Sequence, residues 1–544
     1  MLSGAVPWPD DVARRYRSEG YWTGQTLAAL ARDHARAQGD RTAVVTAKER
    51  LTYAELDLLA DRRAAGLREL GVAPRDRVVV QLPNTADLVV TCLALFRAGA
   101  IPVLALAAHR RAELGYLAEQ TEAVGLVIPD VLAGFDHRDL ARQVRATVPG
   151  LRHVLVAGDQ AEFSALADVT AAPAELAAPD PAEVAFCLLS GGTTGLPKLI
   201  ARTHDDYLCQ LRGTAREMGL SRSGAYLAAL PAAHNAALGC PGVLGALWAG
   251  AKVVLAASPA PDEVFPLIAC EQVTLTTLMP AYLPLWAGAA QDVDVDLSRL
   301  IIEVGGASLE PDVARAAEES LGCTITRWFG MAEGLLCFTR PADAPEVRLA
   351  TEGRPLWPAD EIRVAGPDGR DVPSGAVGEL LARGPCMPRG YYRAPEYNAG
   401  AFTADGYLRT GDLVRLTLAG DLVVAGRIKD LVNRGGEKVP AAEVEAHLRA
   451  HPGVRDAAVT GVPHPVLGES SCAFVIPADG PLSLRELRDF LARRGLAAFK
   501  LPDRVELVRA FPFTPVGKVD KALLRDRLVA AADDARRAAP GGGI

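Results

Sequence analysis

The sequence has little that would mark a secreted, membrane-bound or nucleic-acid-binding protein. Its nine cysteines are scattered and none forms a C-x-x-C pair, which argues against a disulfide framework or a zinc site. The 58 basic and 66 acidic side chains give a formal net charge of −8, so no positive excess favours nucleic acid or an anionic membrane as a partner. Any anion that the protein binds must therefore be held by local geometry.

Long apolar runs are also missing. The stretch from Ala94 to Ala108 is interrupted by Arg97 and is too short to span a bilayer. The first ten residues have neither the basic flank nor the apolar core of a secretory signal. We therefore expect a cytoplasmic protein.

The sequence does contain an alternation of strands rich in β-branched residues with helices rich in alanine and leucine. Strand-like runs at 77–82, 125–128 and 252–255 are separated by helical runs, a pattern typical of α/β layers with largely parallel strands. A chain of 544 residues is long enough for three or four domains, or for one large body with an appendage.

The pattern changes after about residue 355, where short strands alternate with turn signals such as the Gly-Pro-Asp-Gly at 366–369. Helical runs alternate with strands again towards the C-terminus. We predict an α/β protein with a large layered N-terminal body over residues 1–428. This body includes a small β-rich subdomain at about 355–428, and an α+β domain follows over 429–544.

A loop rich in glycine and hydroxyl groups follows an apolar run at 184–188. Glycines let the backbone approach an anion, and the amides, hydroxyls and ammonium of such a loop can hold phosphates. It is not a Walker A loop, because Lys198 follows Pro197 and precedes Leu199, which has no metal-binding hydroxyl. A flexible surface loop is the alternative reading. The candidate phosphate ligands are Ser190, Gly191, Gly192, Thr193, Thr194, Gly195 and Lys198.

This loop and six further blocks resemble, in their order along the chain, the adenylate-forming superfamily of acyl-CoA synthetases, peptide-synthetase adenylation domains and luciferases. The opening segment around Trp8 and Trp22 is similar to stand-alone aryl-acid AMP ligases of the salicylate or 2,3-dihydroxybenzoate type. The resemblance thus covers nearly the whole chain. The blocks are Gly305-Gly-Ala, Phe329-Gly-Met-Ala-Glu, Tyr407-Leu-Arg-Thr-Gly-Asp, Gly426-Arg-Ile-Lys-Asp, Gly435-Gly-Glu-Lys and Thr514-Pro-Val-Gly-Lys-Val-Asp.

The resemblance implies a reaction in which a carboxylate attacks the α-phosphate of ATP while magnesium pyrophosphate leaves. Such a reaction depends on positioning and charge neutralisation. Glu333 is the expected Mg²⁺ ligand, and Lys518 is the catalytic cation between the acid and the α-phosphate. Asp412 would accept hydrogen bonds from the ribose hydroxyls, and Arg427 would contact ribose or phosphate. A solvated Glu, a turn Asp and an exposed tail Lys are the simpler alternatives.

The other implied nucleotide contacts come from glycine-rich and aromatic positions, where small residues allow close approach. They are Gly305, Gly306, Ala307, Phe329, Gly330, Met331 and Ala332. In this superfamily the C-terminal domain is mobile and rotates between two half-reactions. The resemblance places the hinge at Lys429 and the path of an incoming thiol along the face that carries residues 435–436.

The acid is predicted from the segment that starts at Pro231. Amino-acid-activating relatives carry Asp where this chain has Asn235, and a neutral amide there disfavours an α-ammonium, because a buried cation without a counter-charge costs several kcal/mol. His234 is either a wall of the pocket or an ordinary loop histidine. Together, His234 and Asn235 resemble the aryl-acid ligases.

Within that group, Cys240 and Leu336 are typical of salicylate ligases, whereas Ser and Val are typical of 2,3-dihydroxybenzoate ligases. The second hydroxyl of 2,3-dihydroxybenzoate would find only a weak acceptor in Cys240 and none in Leu336, and leaving it unpaired would cost roughly 1–3 kcal/mol. Ala236 replaces a usual bulky aromatic, so we expect room for an alkyl substituent, as in 6-methylsalicylate. Gly306 completes the predicted pocket.

The predicted function is formation of an aryl adenylate from salicylate, or an alkylated salicylate, and ATP with Mg²⁺. The aryl group would then pass to the phosphopantetheine thiol of a carrier protein, in siderophore or related natural-product biosynthesis. Since only 26 residues follow Lys518, we expect the carrier to be a separate protein. The open alternatives are a 2,3-dihydroxybenzoate-AMP ligase, an aryl-CoA ligase that uses coenzyme A, and, more remotely, a non-catalytic nucleotide sensor.

Overall fold

A computed structural model describes residues 1–190, 198–307, 309–434, 437–464, 467–494, 496–514 and 517–538. The chain divides into two units. The larger unit consists of Met1–Glu361 and Ala382–Leu408, and the smaller unit consists of Ile362–Leu381 and the described residues from Arg409 onward. The predicted domain limits stay predictions. The predicted phosphate ligands Gly191–Gly195 and the face at 435–436 lie outside the described residues.

The strands of the larger unit include one at each of the runs predicted at 77–82, 125–128 and 252–255, namely β3 (Arg77–Val80), β5 (Gly125–Pro129) and β13 (Lys252–Leu255). In chain order they are β1 (Thr42–Val45), β2 (Arg50–Thr52), β3 (Arg77–Val80), β4 (Ile101–Leu104), β5 (Gly125–Pro129), β6 (Val131–Leu132), β7 (Phe135–Asp136), β8 (His153–Ala157), β9 (Ser164–Ala165), β10 (Val184–Leu189), β11 (Leu199–Thr203), β12 (Ala225–Ala228), β13 (Lys252–Leu255), β14 (Leu275–Leu278), β15 (Ile301–Gly305), β16 (Thr324–Gly330), β17 (Leu336–Phe338) and β18 (Arg354–Pro355).

Helices alternate with these strands along the chain. They are α1 (Asp10–Ser18), α2 (Arg32–Gln38), α3 (Tyr53–Glu69), α4 (Ala86–Arg97), α5 (Arg111–Gln120), α6 (His137–Thr147), α7 (His204–Glu217), α8 (Asn235–Gly239), α9 (Gly242–Ala249), α10 (Pro261–Glu271), α11 (Leu283–Ala289), α12 (Pro311–Leu321), α13 (Pro345–Arg348) and α14 (Pro395–Ala401), with 3₁₀ turns at Leu27–Ala29, Leu166–Asp168 and Pro280–Tyr282.

Two large sheets organise this unit. The nine-stranded sheet has the order β18-β17-β16-β15-β14-β12-β13-β1-β2, and the seven-stranded sheet has the order β11-β10-β4-β3-β5-β8-β9. Their central strands pair in parallel, while β2, β11, β17 and β18 pair antiparallel at the edges. The prediction of layered α/β structure with largely parallel strands is confirmed.

Helix packing follows from the alternation of side chains along each strand, which sends successive residues to opposite faces. On one face of the nine-stranded sheet, Ile302 and Val304 pack with α10, α11 and α12 in an apolar cluster that contains Phe265 and Trp286. Position 303 therefore faces the other side. Helix α7, which lies beside the acid segment, begins with a capping box formed by Thr203 and Asp206.

The smaller unit holds two further sheets, with strand orders β19-β20-β21-β22 and β24-β23-β26-β25, and β27 beside β26. Their strands are β19 (Glu361–Ala365), β20 (Gly378–Arg383), β21 (Leu408–Leu416), β22 (Leu422–Arg427), β23 (Leu431–Arg434), β24 (Glu437–Pro440), β25 (Val454–His464), β26 (Gly468–Pro477) and β27 (Arg504–Leu507). The helices are α15 (Ala441–Arg449), α16 (Leu484–Arg493) and α17 (Lys521–Ala538), with 3₁₀ turns at Ile428–Asp430 and Ala498–Lys500.

Among the described helices, none combines the length and the apolar character that crossing a membrane requires. The cytoplasmic location stays a prediction.

Candidate active site

Two of the predicted nucleotide-binding blocks lie at the carboxyl ends of neighbouring strands in the nine-stranded sheet. Gly305 ends β15 and is followed directly by Gly306 and Ala307, while the block that begins with Phe329 starts at the end of the neighbouring parallel strand β16 and continues beyond it. Gly306 has φ +80°, a left-handed conformation that favours glycine. Because the carboxyl ends of adjacent parallel strands meet at one edge, the structure brings these two blocks together, including Gly330, Met331 and Ala332.

The ends of the predicted phosphate loop are fixed by a hairpin of the seven-stranded sheet. The Ser190 amide donates to the Lys198 carbonyl at 2.8 Å, and the Lys198 amide donates to Ser190 Oγ at 3.0 Å. The Lys198 ammonium lies 3.9 Å from the centroid of the Tyr397 ring, a cation–π contact. The two hydrogen bonds therefore hold the ends of the loop, Ser190 and Lys198, next to each other.

Glu333 lies in a tight turn after β16, in which the Gly334 amide donates to the Met331 carbonyl at 2.9 Å. Its carboxylate is buried and accepts a hydrogen bond of 2.7 Å from the Tyr391 hydroxyl. Burial, followed by the charge of Glu333, raises the pKa of Tyr391, so this hydroxyl stays a donor. Tyr391 thus fixes one carboxylate oxygen in a turn beside the nucleotide blocks.

A magnesium ion is compatible with this donor set. Mg²⁺ prefers hard oxygen ligands and commonly takes only one or two carboxylates, with water and substrate phosphates supplying the rest. In the described part of the chain, no group of three or more His, Cys, Asp or Glu side chains could hold a metal. A site based on Glu333 therefore depends on the phosphates of ATP.

The predicted acid-binding residues lie on and around the short helix α8. Asn235 is buried, and its Oδ1 accepts hydrogen bonds from the Tyr207 hydroxyl at 2.9 Å and from Gln210 Nε2 at 3.5 Å. Its Nδ2 lies 3.6 Å from Cys240 Sγ. The two donors to Oδ1 set the orientation of the amide, so Asn235 directs its N–H groups towards Cys240.

The remaining predicted pocket residues are mostly apolar and buried. Leu336 and Ala236 are 0% and 2% exposed, and Leu336 pairs with Gly330 across β16 and β17. His234 is half-buried, and its Nδ1 accepts from the Ala236 amide at 3.3 Å at the start of α8. His234 therefore has a local structural role, and its contact with an acid stays a prediction.

Arg202 is a buried cation that the sequence analysis missed. It donates to Asp206 Oδ1 at 2.8 Å, to Gln210 Oε1 at 3.0 Å and to the Ala332 carbonyl at 2.9 Å. Arg202 thus links the loop that carries Glu333 to the side chains that orient Asn235. An arginine inside the apolar strand β11 was the signal that could have identified it.

The predicted ribose contacts lie in the smaller unit on the hairpin β21–β22. Asp412 and Arg427 are directly opposite each other, and Arg427 Nε donates to Asp412 Oδ1 at 2.7 Å. Burial raises the pKa of Asp412, although the positive charges of Arg427, Lys518 and Lys429 act in the opposite direction. The three predicted cations of this unit, Arg427, Lys429 and Lys518, therefore all lie within electrostatic range of Asp412.

Lys518 is hydrogen-bonded to Thr514, and residues 515 and 516 lie outside the described part of the chain. The Thr514 amide donates to the Lys518 carbonyl at 2.7 Å, and the Lys518 amide donates to Thr514 Oγ1 at 3.1 Å. Gly517 has φ +79°, which favours glycine at this position. The two hydrogen bonds hold the backbone of Lys518. Lys429 lies in the 3₁₀ turn at Ile428–Asp430, and its side chain is exposed.

Comparisons with known proteins identify the family. A model described as AMP-binding enzyme matches residues 31–392, and one described as AMP-binding enzyme C-terminal domain matches residues 443–518. The chain belongs to the AMP-binding enzyme family. It is 51% identical to the 2,3-dihydroxybenzoate-AMP ligase of Bacillus subtilis (strain 168), over 97% of this chain and 98% of that protein.

Two further relatives agree in family and fold. The salicyl-AMP ligase / salicyl-S-ArCP synthetase of Mycobacterium tuberculosis (strain ATCC 25618 / H37Rv) is 47% identical, over 96% of this chain and 94% of that protein. The apo structure of Mycobacterium smegmatis MbtA has a TM-score of 0.76 and 47% identity, over 97% of this chain and 99% of that chain.

The resemblance to adenylate-forming ligases of the aryl-acid type is thereby confirmed, together with the α/β fold. The enzyme is an ATP-dependent ligase that uses ATP with Mg²⁺ to form an aryl adenylate. The roles of individual residues stay predictions.

Proposed function

We propose that this enzyme activates salicylate, or a salicylate with an alkyl substituent, and passes the aryl group to the phosphopantetheine thiol of a separate carrier protein. The pathway would make a siderophore or a related natural product. The observation that carries the proposal is the fixed amide of Asn235 beside Cys240. It presents N–H donors, which suit the oxygens of a 2-hydroxybenzoate.

The neutral amide also disfavours an amino acid. Because Oδ1 of Asn235 already accepts from Tyr207 and Gln210, it has little acceptor capacity left for an α-ammonium. A buried ammonium without a counter-charge would cost several kcal/mol. Asn235 therefore supports an acid without an amino group beside its carboxylate.

Cys240 and Leu336 support salicylate over a dihydroxylated acid. Both are buried, and the Cys240 sulfur is already near the amides of Asn235 and Gln210 at 3.6 Å. A thiol is a weak acceptor, and leucine offers no hydrogen bond. Leaving a 3-hydroxyl unpaired would cost about 1–3 kcal/mol, or about 5- to 150-fold in preference.

The second candidate is a 2,3-dihydroxybenzoate-AMP ligase. The relative from Bacillus subtilis that carries this name is 51% identical, slightly more than the salicyl-AMP ligase at 47%. The two candidates share every step and differ only in the ring substituent. Identity over the whole chain gives no extra weight to the few positions that would contact the ring. We therefore base the choice of acid on the residues of the predicted pocket, which favour salicylate.

In the first step, a carboxylate oxygen of the acid forms a bond to the α-phosphorus, and the bond from that phosphorus to the pyrophosphate oxygen breaks. The ammonium of Lys518 would neutralise charge on the carboxylate and the phosphate. Asp412 would accept hydrogen bonds from the ribose hydroxyls, with Arg427 beside it. Mg²⁺, held by Glu333, would neutralise the charge of the leaving pyrophosphate when bound.

In the second step, the thiol sulfur bonds to the carbonyl carbon while the bond from that carbon to the AMP oxygen breaks. The thiol proton is lost to solvent or to AMP. Lys429 is the proposed hinge between the two steps. A carrier protein and coenzyme A present the same thiol, so the chemistry is common to both acceptors.

The acid is tested by ATP–pyrophosphate exchange with salicylate, 6-methylsalicylate and 2,3-dihydroxybenzoate, and with no acid as the control. We expect exchange with the first two acids and at least about fivefold lower kcat/KM with the third. Exchange with 2,3-dihydroxybenzoate alone would overturn the argument from the pocket and favour the second candidate.

The acceptor is tested by preparing the salicyl adenylate on the enzyme and adding either a phosphopantetheinylated aryl carrier protein or coenzyme A. We expect faster release of AMP with the carrier. Equal or faster release with coenzyme A would assign the enzyme as an aryl-CoA ligase.

A further inference from the structure

A row of polar side chains crosses the nine-stranded sheet on the face opposite its apolar cluster. Thr277 on β14 is directly opposite Glu303 on β15, and Glu303 is directly opposite Thr326 on β16. Tyr226 on β12 completes the row. All four residues are at most 1% exposed. Polar groups at this depth require hydrogen-bond partners.

One end of the row is satisfied and the other is not. The Tyr226 hydroxyl donates to Thr277 Oγ1 at 3.2 Å, and the Thr277 hydroxyl donates to Glu303 Oε2 at 3.0 Å. Glu303 Oε1, Thr326 Oγ1 and Trp328 Nε1 are buried and have no hydrogen-bond partner among the described residues. Each such group costs about 1–3 kcal/mol, so three on adjacent strands point to a missing partner.

The unpaired atoms are mainly donors. Burial raises the pKa of Glu303 well above its ordinary value, and no cation in the described part of the chain opposes this effect. This rise in pKa favours the protonated form of the Glu303 carboxyl, which can donate a hydrogen bond. Since Oε2 already accepts from Thr277, Oε1 is the oxygen from which the protonated carboxyl would donate. The indole Nε1 of Trp328 can only donate. The complementary partner is a hydrogen-bond acceptor.

The row lies at the acid site of the same unit. After burial, the ionised form of Glu303 is the second influence that raises the pKa of Cys240, so the two side chains lie within electrostatic range of each other. The Trp328 ring lies so close to Gly305 and Gly330 that a Cβ on either glycine would meet it. Glycine at these positions thus allows the indole to form a wall of the site.

The depth of the row indicates which part of an acid it would meet. Glu303 lies two residues before Gly305, roughly 7 Å from the carboxyl end of β15 at the strand rise of about 3.3 Å per residue. The nucleotide blocks are at that end. An acid whose carboxylate meets the nucleotide there would direct the far edge of its ring inward, towards Glu303, Thr326 and Trp328.

We propose that Glu303, Thr326 and Trp328 form a polar subsite that selects aryl acids with a hydrogen-bond acceptor, such as an ether oxygen or a ring nitrogen, on the ring edge opposite the carboxylate. This inference rests on the proposed function and extends it from salicylate to salicylates with an acceptor at this edge. An acid with an amino group there is a poorer fit, because the N–H groups of an arylamine donate and its nitrogen lone pair, delocalised into the ring, is a weak acceptor for the unpaired donors.

The test compares acids of equal size that differ in one acceptor atom. The pairs are 5-methoxy- with 5-ethylsalicylate and 4-methoxy- with 4-ethylsalicylate, in ATP–pyrophosphate exchange. We expect kcat/KM to favour the methoxy acid by at least about tenfold in one pair, the loss caused by an unpaired buried donor. Dissociation constants of the acids, measured by calorimetry, should show the same preference.

Variants separate recognition from a structural role of the row. Glu303→Leu removes the donor, and the methoxy-to-ethyl ratio should fall to within about threefold of one. Glu303→Gln keeps an N–H donor at the same position and should retain the preference. The methoxy-to-ethyl ratio of each variant is divided by the ratio of the wild type. This cancels the difference in reactivity that the methoxy and ethyl groups themselves cause. Thr276→Val, on the opposite face of β14, is the matched control and should leave the ratio unchanged.

Thr326→Val keeps the side-chain shape and should lower the ratio even where Glu303→Leu does not fold. A wild-type ratio near one in both pairs, or an unchanged ratio in Glu303→Leu or in Thr326→Val, would overturn the subsite while leaving salicylate activation intact. Absence of exchange with salicylate and with all four test acids would remove the proposed function, and the subsite with it.

Discussion

The predicted acid pocket of the larger unit and the predicted charged residues of the smaller unit are built differently. Asn235 is 6% exposed and its amide is held by two hydrogen bonds, whereas the Arg427 side chain is 38% exposed on a hairpin. A buried network fixes the orientation of a side chain, whereas the predicted role of the charges on hairpins and turns is to neutralise a highly charged substrate. Selectivity for the acid and the rate of adenylation should therefore respond to different substitutions.

The largest expected effect comes from the smaller unit. Lys518→Ala should lower kcat for exchange by about a hundredfold to a thousandfold, the usual loss when a charge-stabilising donor is removed. The dissociation constant for salicylate, measured by calorimetry, should change little. Lys521→Ala, three residues away, is the matched control. Unchanged exchange in Lys518→Ala would end the assignment of this lysine.

The second effect concerns the stability of the larger unit. Burial raises the pKa of Asp360 from 3.8 to about 7, and its buried Oδ1 has no hydrogen-bond partner in the described part of the chain. Between these values the folded protein holds a proton that the unfolded chain has lost, so the free energy of unfolding falls as pH rises from about 4 to about 7. The loss is on the order of 2–4 kcal/mol.

Asp360→Asn should remove this part of the pH dependence, because the amide does not titrate and its oxygen can still accept from the Trp357 amide. Denaturant unfolding at pH 5 and pH 8 measures the change. The exposed carboxylate of Asp368 gives a control, Asp368→Asn, which should retain the slope of the wild type. An identical slope in Asp360→Asn would contradict the neutral state of this carboxyl.

A smaller and more selective effect is expected at Tyr207. Tyr207→Phe removes the 2.9 Å hydrogen bond that orients Asn235, so KM for salicylate should rise by about 5- to 20-fold. KM for ATP should not change, because Tyr207 is not among the predicted nucleotide contacts. Tyr226→Phe, which also loses a buried hydroxyl, serves as the control for stability. A parallel rise in both KM values would show a general loss of structure.

The smallest effect is expected from filling the space beside Asn235. Ala236→Val adds two methyl groups at a buried position and should lower kcat/KM for 6-methylsalicylate by about four- to tenfold relative to salicylate. The ratio of the two acids in one exchange assay is the measurement. A constant ratio would mean that neighbouring side chains already occupy this space and that the pocket is not enlarged.

Much of the architecture was predictable because it follows from local patterns. The strands at 125–128 and 252–255 were predicted from β-branched runs, and they are found at Gly125–Pro129 and Lys252–Leu255. The ordered motifs also identified the family. In these cases the information lies within a few consecutive residues, so no knowledge of distant contacts was needed.

The side chains around the predicted acid pocket were not predictable in this way. Arg202, Tyr207 and Glu303 belong to no motif, and each looks like an ordinary residue of a strand or helix. Their importance depends on partners far away in sequence: Arg202 contacts Ala332, 130 residues later. Pairing between β14, β15 and β16 likewise aligns Thr277, Glu303 and Thr326.

The order of the motifs alone determined the family and the general reaction and predicted the residue types at the reacting groups, because glycines, carboxylates and a lysine have chemistry that a short segment already specifies. Tertiary structure decided which way the Asn235 amide faces and which donors remain without a partner around Glu303. Orientation and burial arise only when strands and helices from distant parts of the chain pack together, since packing removes the water that would otherwise satisfy every polar group equally.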